Sequence, residues 1–364
     1  MELYLLNERA ERIAVLQEYE SLTWRTGLMT SNADLKMPLD CFKDITQAMY
    51  LERSDCDTIL FINKKSIADK AGDKGAYLSA YDPVELLRRR VLWWTRSFNN
   101  WRREDIIVAL VNSGFAPVTV RPPAQMANRV RRIPLFVDMV NTGASGLLSE
   151  RLTQQMSWGE VYEHIEDMLE GLPIRFYSHF VRAAAGSQIQ PLLYEGKDRT
   201  KEVVVSTKFG DLFDVEYVSA SIDRAELAVV AGQGEDANRI VEVATNQPAL
   251  NVPSKELWVD ANNIGSNDGE LTVAQVRSAL RTKGFEQLNE QPCEHALTAA
   301  ISQERFQYGS DYLVGDRISY EAFGERHSDI VSEVEEVFEG QHSRINITIG
   351  STYPTIRQIL DRRK

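Results

Sequence analysis

The sequence predicts a mainly β protein with α+β inserts, and three observations carry that expectation. Short β-branched and aromatic runs, punctuated by Gly, Asp and Asn, recur along most of the chain. At Asp82-Pro83 the apolar period changes from two to that of a helix. A coarse echo also runs through the chain: residues 1–232 and 227–350 each read as strands, then a helical insert, then strands. With 364 residues, 43% of them hydrophobic, the chain can bury large cores, and its length suits two to four domains at roughly 150 residues each.

Residues 1–81 hold the runs LYLL, RIAVLQ, SLTW, DLKMPL, TILFIN and AYLSAY, each bounded by polar or Gly turns. That is the pattern of a small antiparallel barrel or sandwich. Asp82 is an N-cap candidate before a Pro at the first helical position, and Val84, Leu87, Val91 and Trp94 follow at helical spacing. Ile106, Ile107, Leu110 and Val111 predict a helix over 104–113 that stops at Gly114. Ser157 and Glu160 predict a capping box opening a helix over 157–169. NTGASG at 141–146 reads as a loop, and IRFYSHFV returns to strand character. Residues 82–188 are therefore an α+β insert, rich in Arg and Trp, inside a first β set made of 1–81 and 189–225.

In the central stretch, Val203 to Val205 read as a strand, Phe213, Val215 and Tyr217 alternate, and Leu227 to Val230 form a buried run ended by Gly232. KELWVD is a further strand. Thr272 with Gln275 predicts a second capping box, Val276 and Leu280 share the helix face of Val273, and Gly284 stands as a C-cap. The strands HALTAAI, DYLVGDRISYEA, DIVSEVEEVFE and SRINITIG complete a second β set of 226–270 and 295–350, with 271–294 as a small helical insert. The acidic EVEEVFE segment reads as a solvated strand face. Pro354 opens a short basic C-terminal helix over 351–364.

Composition narrows the chemistry. Cys41, Cys56 and Cys293 are odd in number and far apart, which argues against a disulfide framework or a zinc site. No apolar run approaches the ~18 residues that span a bilayer, and the N-terminus lacks the regions of a signal peptide, so a cytosolic origin is expected. The five histidines are isolated, and there is no His-Glu-x-x-His, Gly-x-Ser-x-Gly or Walker-type motif, so neither cofactor nor metal is expected. Gly-Gln-Gly-Glu at 232–235 lacks the third Gly and following helix of a dinucleotide fingerprint and reads as a turn. Asp198-Arg199 reads as an ion pair fixing a turn.

Charge is distributed unevenly. The net charge is −12, yet residues 84–132 carry ten arginines against three acids, a surplus of seven, which leaves −19 for the remainder. Arginines interleaved with Trp93, Trp94, Phe98 and Trp101 suit planar stacking and bidentate pairing. An acidic chain supplies ample partners, so Arg88, Arg89, Arg90, Trp93 and Trp101 are candidates for a protein contact, within the chain or between chains. Binding to nucleic acid is the alternative use of this segment, although the overall charge argues against specific binding.

Three groups of residues carry a family resemblance. Gly196, Asp198, Arg199 and Thr200 lead through Phe209 and Leu212 to Gly232, Gly234 and Glu235; Tyr19, Ser21, Leu22 and Trp24 stand near the start; Val314, Gly315 and Asp316 precede ITIGS near the end. In this order they resemble the baseplate hub (tail hub, tail-associated) proteins of long-tailed phages. One departure is SNADL near Thr30 to Leu35, where relatives usually have a Gly before the strand.

The resemblance implies a virion structural protein and not an enzyme: a hub at the tail tip, assembled in the host cytoplasm. It further implies a homotrimer that joins a distal tail ring to tip or fibre proteins and closes the channel near the tape-measure protein. The two β sets would then be antiparallel barrels related by pseudo-symmetry, so that a trimer presents six similar patches to a six-fold ring. A tail-associated peptidoglycan hydrolase and a nucleic-acid-binding protein are the alternatives. Larger hub relatives carry hydrolytic or receptor-binding modules after the last β domain, and with this chain ending soon after Gly350 none is expected here.

Overall fold

In the computed structural model the N-terminal runs become β1 (Leu3–Leu6), β2 (Arg12–Leu16), β3 (Ser21–Gly27) and β4 (Ser31–Met37), then a short helix α1 (Phe42–Thr46), then β5 (Tyr50–Arg53), β6 (Ile59–Lys70) and β7 (Asp73–Tyr81). The structure describes residues 1–70, 73–92, 96–115, 133, 135–156, 158–183, 186–220, 225–235, 239–245, 255–262, 264–265, 272–289, 294–340 and 342–350. The expected helix at 351–364 lies outside them. LYLL is apolar at successive positions because β1 is buried on both faces: Leu3 and Leu5 enter one core and Leu6 another. β5 and β6 divide in the same way, with Tyr50 and Ile59 on one side and Leu51 and Leu60 on the other.

Residues 82–173 pack on that second face. They form a 3₁₀ helix (Pro83–Arg89), β8 (Arg96–Arg102), α2 (Arg103–Phe115), β9 (Arg151–Met156) and α3 (Val161–Leu169). Val84, Leu87, Ile106, Leu110, Val161 and Ile165 join Leu6, Tyr50 and Ile59 in one core, so the insert shares a core with the first β set. The chain then continues as the hairpin β10 (Ile174–Ala183) and β11 (Gly186–Glu195).

Four local expectations change here, each for a nonlocal reason. Asp82 does cap a helix, accepting the Val84 N–H at 3.1 Å, but the helix ends at Arg89. The Arg90 carbonyl is taken by the Val161 N–H at 2.8 Å, and Val91 bridges to Glu160. α3 starts at Val161 with Glu160 as an N-cap that makes no side-chain bond, while Ser157 lies outside the described residues. Gly114 lies inside α2, which is described as far as Phe115, and serves close packing, since a Cβ there would meet Leu87 Cδ2 at 2.4 Å. β8 and β9 were not foreseen.

After β11 come β12 (Val204–Ser206) and β13 (Leu212–Ala220). A separate compact unit, Tyr217–Ala296, then holds β14 (Leu227–Ala231), β15 (Val241–Thr245), β16 (Glu256–Asp260) and α4 (Val273–Asn289). β14 is the centre of this sheet, antiparallel to β15 and parallel to β16, and α4 packs Val276 and Leu280 against Ala228, Val230, Ala244 and Val259. The Thr272 capping box forms: its N–H donates to Gln275 Oε1 at 2.9 Å, and the Gln275 N–H donates to Thr272 Oγ1 at 3.3 Å. Gly284 does not end α4 but lets it approach the sheet, where a Cβ would stand 2.7 Å from Ala244 Cβ.

The chain finishes with β17 (Glu294–Ile301), β18 (Arg317–Ala322), β19 (Glu325–Glu339) and β20 (His342–Gly350). The grouping of strands thus differs from the sequence expectation. β14 to β16 pair among themselves, whereas Val203, Val205 and Leu212 share a core with Leu297, Ile301, Val314, Ile318, Val331 and Ile347. The second β set is therefore 196–216 with 297–350, and its interruption is the whole of 217–296. Both sets lie on one path, β13-β17-β20-β19-β3-β4-β7-β6-β5-β1-β2, although their inner cores are separate. β19 is the link, because its first half pairs with β18 and its second half lies between β20 and β3. The acidic EVEEVFE segment is accordingly interior to the sheet rather than a solvated face: Glu335 pairs with Arg25 at 2.9 Å and Glu336 with Arg53 at 2.8 Å.

Candidate functional site: a buried carboxylate holding the second β set to the β11 hairpin

Asp316 is fully buried just before β18, and four donors converge on its carboxylate. Tyr194 Oη (2.6 Å) and the Lys197 N–H (2.8 Å) donate to Oδ1, while Arg199 Nε (2.9 Å) and the Leu313 N–H (3.0 Å) donate to Oδ2. A buried carboxylate is tolerable only when its lone pairs are satisfied and a cation is near, and here both conditions hold. Burial and the bond to Asp316 push the Tyr194 hydroxyl well above its usual range, so it stays a donor. The backbone doubles the link: Arg317 N–H donates to the Lys197 carbonyl, Arg199 N–H to the Arg317 carbonyl, and Val331 N–H to the Asp316 carbonyl.

The glycines next to this carboxylate allow the approach. Gly196 follows β11 and donates its N–H to the Pro173 carbonyl at 2.8 Å; a Cβ on it would stand 1.8 Å from the Gly315 carbonyl oxygen. Gly315 itself has φ +103°, a region that L side chains rarely adopt. Asp198 is exposed and does not pair with Arg199; it accepts the Thr200 N–H at 3.0 Å and Thr200 Oγ1 at 2.7 Å, which closes the turn and holds its own carboxyl below the ordinary range. The Thr200 carbonyl then takes Ser319 Oγ at 2.9 Å. Two of the three motif groups, around Gly196 and around Gly315, thus meet within the second β set, and Tyr194 ties that meeting to the β10–β11 hairpin. Tyr194, two residues before Gly196, was missed; its clue was an aromatic hydroxyl beside a motif Gly.

The third group meets a different anchor. Trp24 is buried in the core of the first set, with the Arg53 guanidinium 5.0 Å from its ring. Arg53 is only 4% exposed and is bound by Asp55 at 3.0 Å and Glu336 at 2.8 Å, tying β5 to β19. Arg53→Ala is expected to cost about 3 kcal/mol, because Glu336 is left half-buried and unpaired. Arg53→Met refills the space but leaves Glu336 just as unpaired, so it should recover only the packing part of the loss, which urea midpoints of the two variants would measure. Gly232, Gly234 and Glu235 lie in the other unit and form the turn after β14, with Gly232 N–H on the Ile240 carbonyl at 2.9 Å.

Among the described residues, Arg88 and Arg89 are engaged by groups of the same chain. Arg88 lies 3.3 Å from Glu166 and 4.2 Å from the centre of the Tyr162 ring, and Arg89 donates to Tyr81 Oη at 3.1 Å and covers Phe61. Arg90 is half-buried, and burial pushes its guanidinium down. Trp93 lies outside the described residues; Trp101 is 45% exposed. Beneath Arg88, burial together with the neighbouring Asp82 pushes the Glu85 carboxyl up to about 7 from its ordinary 4.5.

A carboxyl whose folded value is raised binds its proton more tightly in the native state. Its stabilisation is therefore full below about pH 4.5 and is lost as pH rises through about 7, a swing on the order of 3 kcal/mol. Glu85→Gln is expected to raise stability at pH 8 and to flatten stability between pH 4.5 and 7. Unfolding curves across that range measure it, and an unchanged slope contradicts the assignment.

Chemically, the Asp316 joint holds strands together. Its carboxylate has no open lone pair facing solvent, and among the described residues no group of three or more His, Cys, Asp or Glu side chains could hold a metal ion. No helix of the described residues is long and apolar enough to cross a membrane.

Comparison with known proteins gives the same direction. The fold is similar to that of a tail protein from Neisseria meningitidis MC58, with 8% identity, a TM-score of 0.58 and coverage of 96% of both chains. It is also similar to the 43 kDa tail protein of prophage MuSo2 from Shewanella oneidensis (9% identity, TM-score 0.54, 96% of this chain and 98% of that one). A third similar fold is prophage tail protein gp18 from Listeria monocytogenes EGD-e, with 12% identity, a TM-score of 0.51 and coverage of 100% of this chain and 98% of that one. No curated protein matches the sequence. The profile of the Siphovirus ReqiPepy6 Gp37-like proteins matches residues 2–351, and the tail-protein resemblance carried by the motifs agrees with it: the chain belongs to the Siphovirus ReqiPepy6 Gp37-like family.

Proposed function

We propose that this chain is a structural component of a phage tail and acts there as a baseplate hub without catalysis. The observation that carries the proposal is the Asp316 joint, where the motif residues of a tail hub close the second β set and, through Tyr194, hold the β10–β11 hairpin to it. A part that transmits load between a tube and a tip needs such a joint, and the family and the shared tail-protein fold support the same role.

In this reading the chain forms a homotrimer around the tail axis at the tip of the virion. It contacts a distal tail ring on one side and tip or fibre proteins on the other, and closes the channel near the tape-measure protein until host contact opens it. Each β set has its own core and its own insert, 82–173 and 217–296, so the two sets can act as barrel-like, quasi-equivalent units about 60° apart, giving a trimer six similar patches. Counting copies per particle by quantitative mass spectrometry tests this. Three copies are expected against a multiple of six for the ring protein; a single copy, or two, contradicts it. Purified chain should leave cell walls intact, and clearing that a single carboxylate substitution abolishes would replace the hub by a hydrolase.

A further inference from the structure

Trp101 was singled out by the sequence, yet the Asp316 joint makes no use of it. β8 pairs with β9 in regular register except between Phe98 and Trp101, where the ladder shifts, and Asn100 in the bulge has φ +59°. Bulges re-aim side chains. This one leaves Asn99 and Asn100 exposed and Trp101 45% exposed, its ring in T-shaped contact with buried Phe98 at 5.3 Å between ring centres. A groove of about 570 Å³ lies beside it, floored by Val108 and Ala109 of α2 and rimmed by Asn99, Asn100, Asp105 and Arg151.

We propose that this groove binds a neutral saccharide of up to three rings. A pyranose presents an apolar C–H face and a rim of hydroxyls, which calls for an exposed aromatic face beside planar groups that donate and accept together. Trp101 supplies the face. The carboxamides of Asn99 and Asn100, the Asp105 carboxylate and the Arg151 guanidinium supply the rim.

The rim is held in place before any ligand arrives. Arg151 Nη1 donates to the Asn100 carbonyl at 2.7 Å, Asn100 N–H donates to Thr153 Oγ1 at 3.1 Å, and Thr153 Oγ1 donates to Asn99 Oδ1 at 3.3 Å. Asn141 Nδ2 donates to Asp105 Oδ1, so that carboxylate is oriented as well. These bonds leave the side-chain amide nitrogens of Asn99 and Asn100 for a ligand. Charge decides against a nucleotide: the lining holds one carboxylate and one guanidinium, so it has no net positive charge, and phosphate would meet Asp105.

The test uses the full chain, with chitotriose, cellotriose and maltotriose as probes in saturation-transfer NMR and calorimetry. At least one trisaccharide should bind with a Kd on the order of 1 mM or tighter, and Trp101→Ala should weaken it about tenfold or more. Asn100→Gly is the cleaner variant, since glycine accepts the positive φ; it should keep the melting temperature while weakening binding at least about threefold. Absence of binding across the panel overturns the proposal, as does binding that neither substitution changes. So does a groove that instead takes oligothymidylate or a proline-rich peptide in a Trp101-dependent way.

Discussion

Asp316→Ala is expected to be among the most damaging single substitutions in this chain, with a loss of about 4 kcal/mol or more in unfolding free energy. Removing the carboxylate leaves two part-buried backbone N–H groups and the Tyr194 hydroxyl without their acceptor, each costing roughly 1–3 kcal/mol, and strips Arg199 of its main partner. Against a typical total of roughly 5–15 kcal/mol, that brings the chain close to unfolding. Arg199→Ala should cost less, about 2 kcal/mol, because Arg199 is 23% exposed and three donors remain on the carboxylate. Denaturant midpoints of the two variants and of the double variant decide the matter. Equal losses for both single variants would mean that the carboxylate has no role beyond the ion pair.

Gly196→Ala is the second large effect. The added methyl would overlap backbone atoms, the Gly315 carbonyl oxygen at 1.8 Å and carbon at 2.2 Å, so no side-chain rotation relieves it and the strands must part. A cost above about 3 kcal/mol is expected. Gly171→Ala is the control: its φ is +71° but nothing lies within 4 Å, so only the backbone penalty of about 1–2 kcal/mol remains. Since the joint is one unit, Gly196→Ala and Asp316→Ala together should cost less than their sum. Full additivity would place the two residues in independent structures.

What the sequence made legible was mostly local. The Thr272–Gln275 capping box is complete within one helical turn and forms as expected. Alternation placed the strands of the first β set, because a strand with one buried face writes that face into every second residue. β8 escaped because RSFNNWR has few apolar positions and a bulge interrupts its pairing. Gly114 and Gly284 look like helix ends, since the reason for each is a side chain far away in sequence, Leu87 and Ala244. The grouping of strands failed in the same way: whether Leu227–Ala231 joins one sheet or another depends on its partners β15 and β16, not on its own pattern.

The candidate joint was half legible. Family motifs singled out Gly196, Arg199, Gly315 and Asp316, but their meeting at one buried carboxylate is a property of topology that spacing in sequence does not encode. Arg53 was invisible for a further reason. Nothing in YLER marks its arginine as buried, and its acidic partner Glu336 lies within a segment that reads as solvated.

A three-dimensional reconstruction of the isolated tail tip tests the central claim most directly. Three copies of this chain should form a ring around the tail axis, each contributing both β sets to the wall of the channel and meeting a six-fold ring with six similar contacts. A chain found as one copy, outside the axis or at the particle's head would contradict the account.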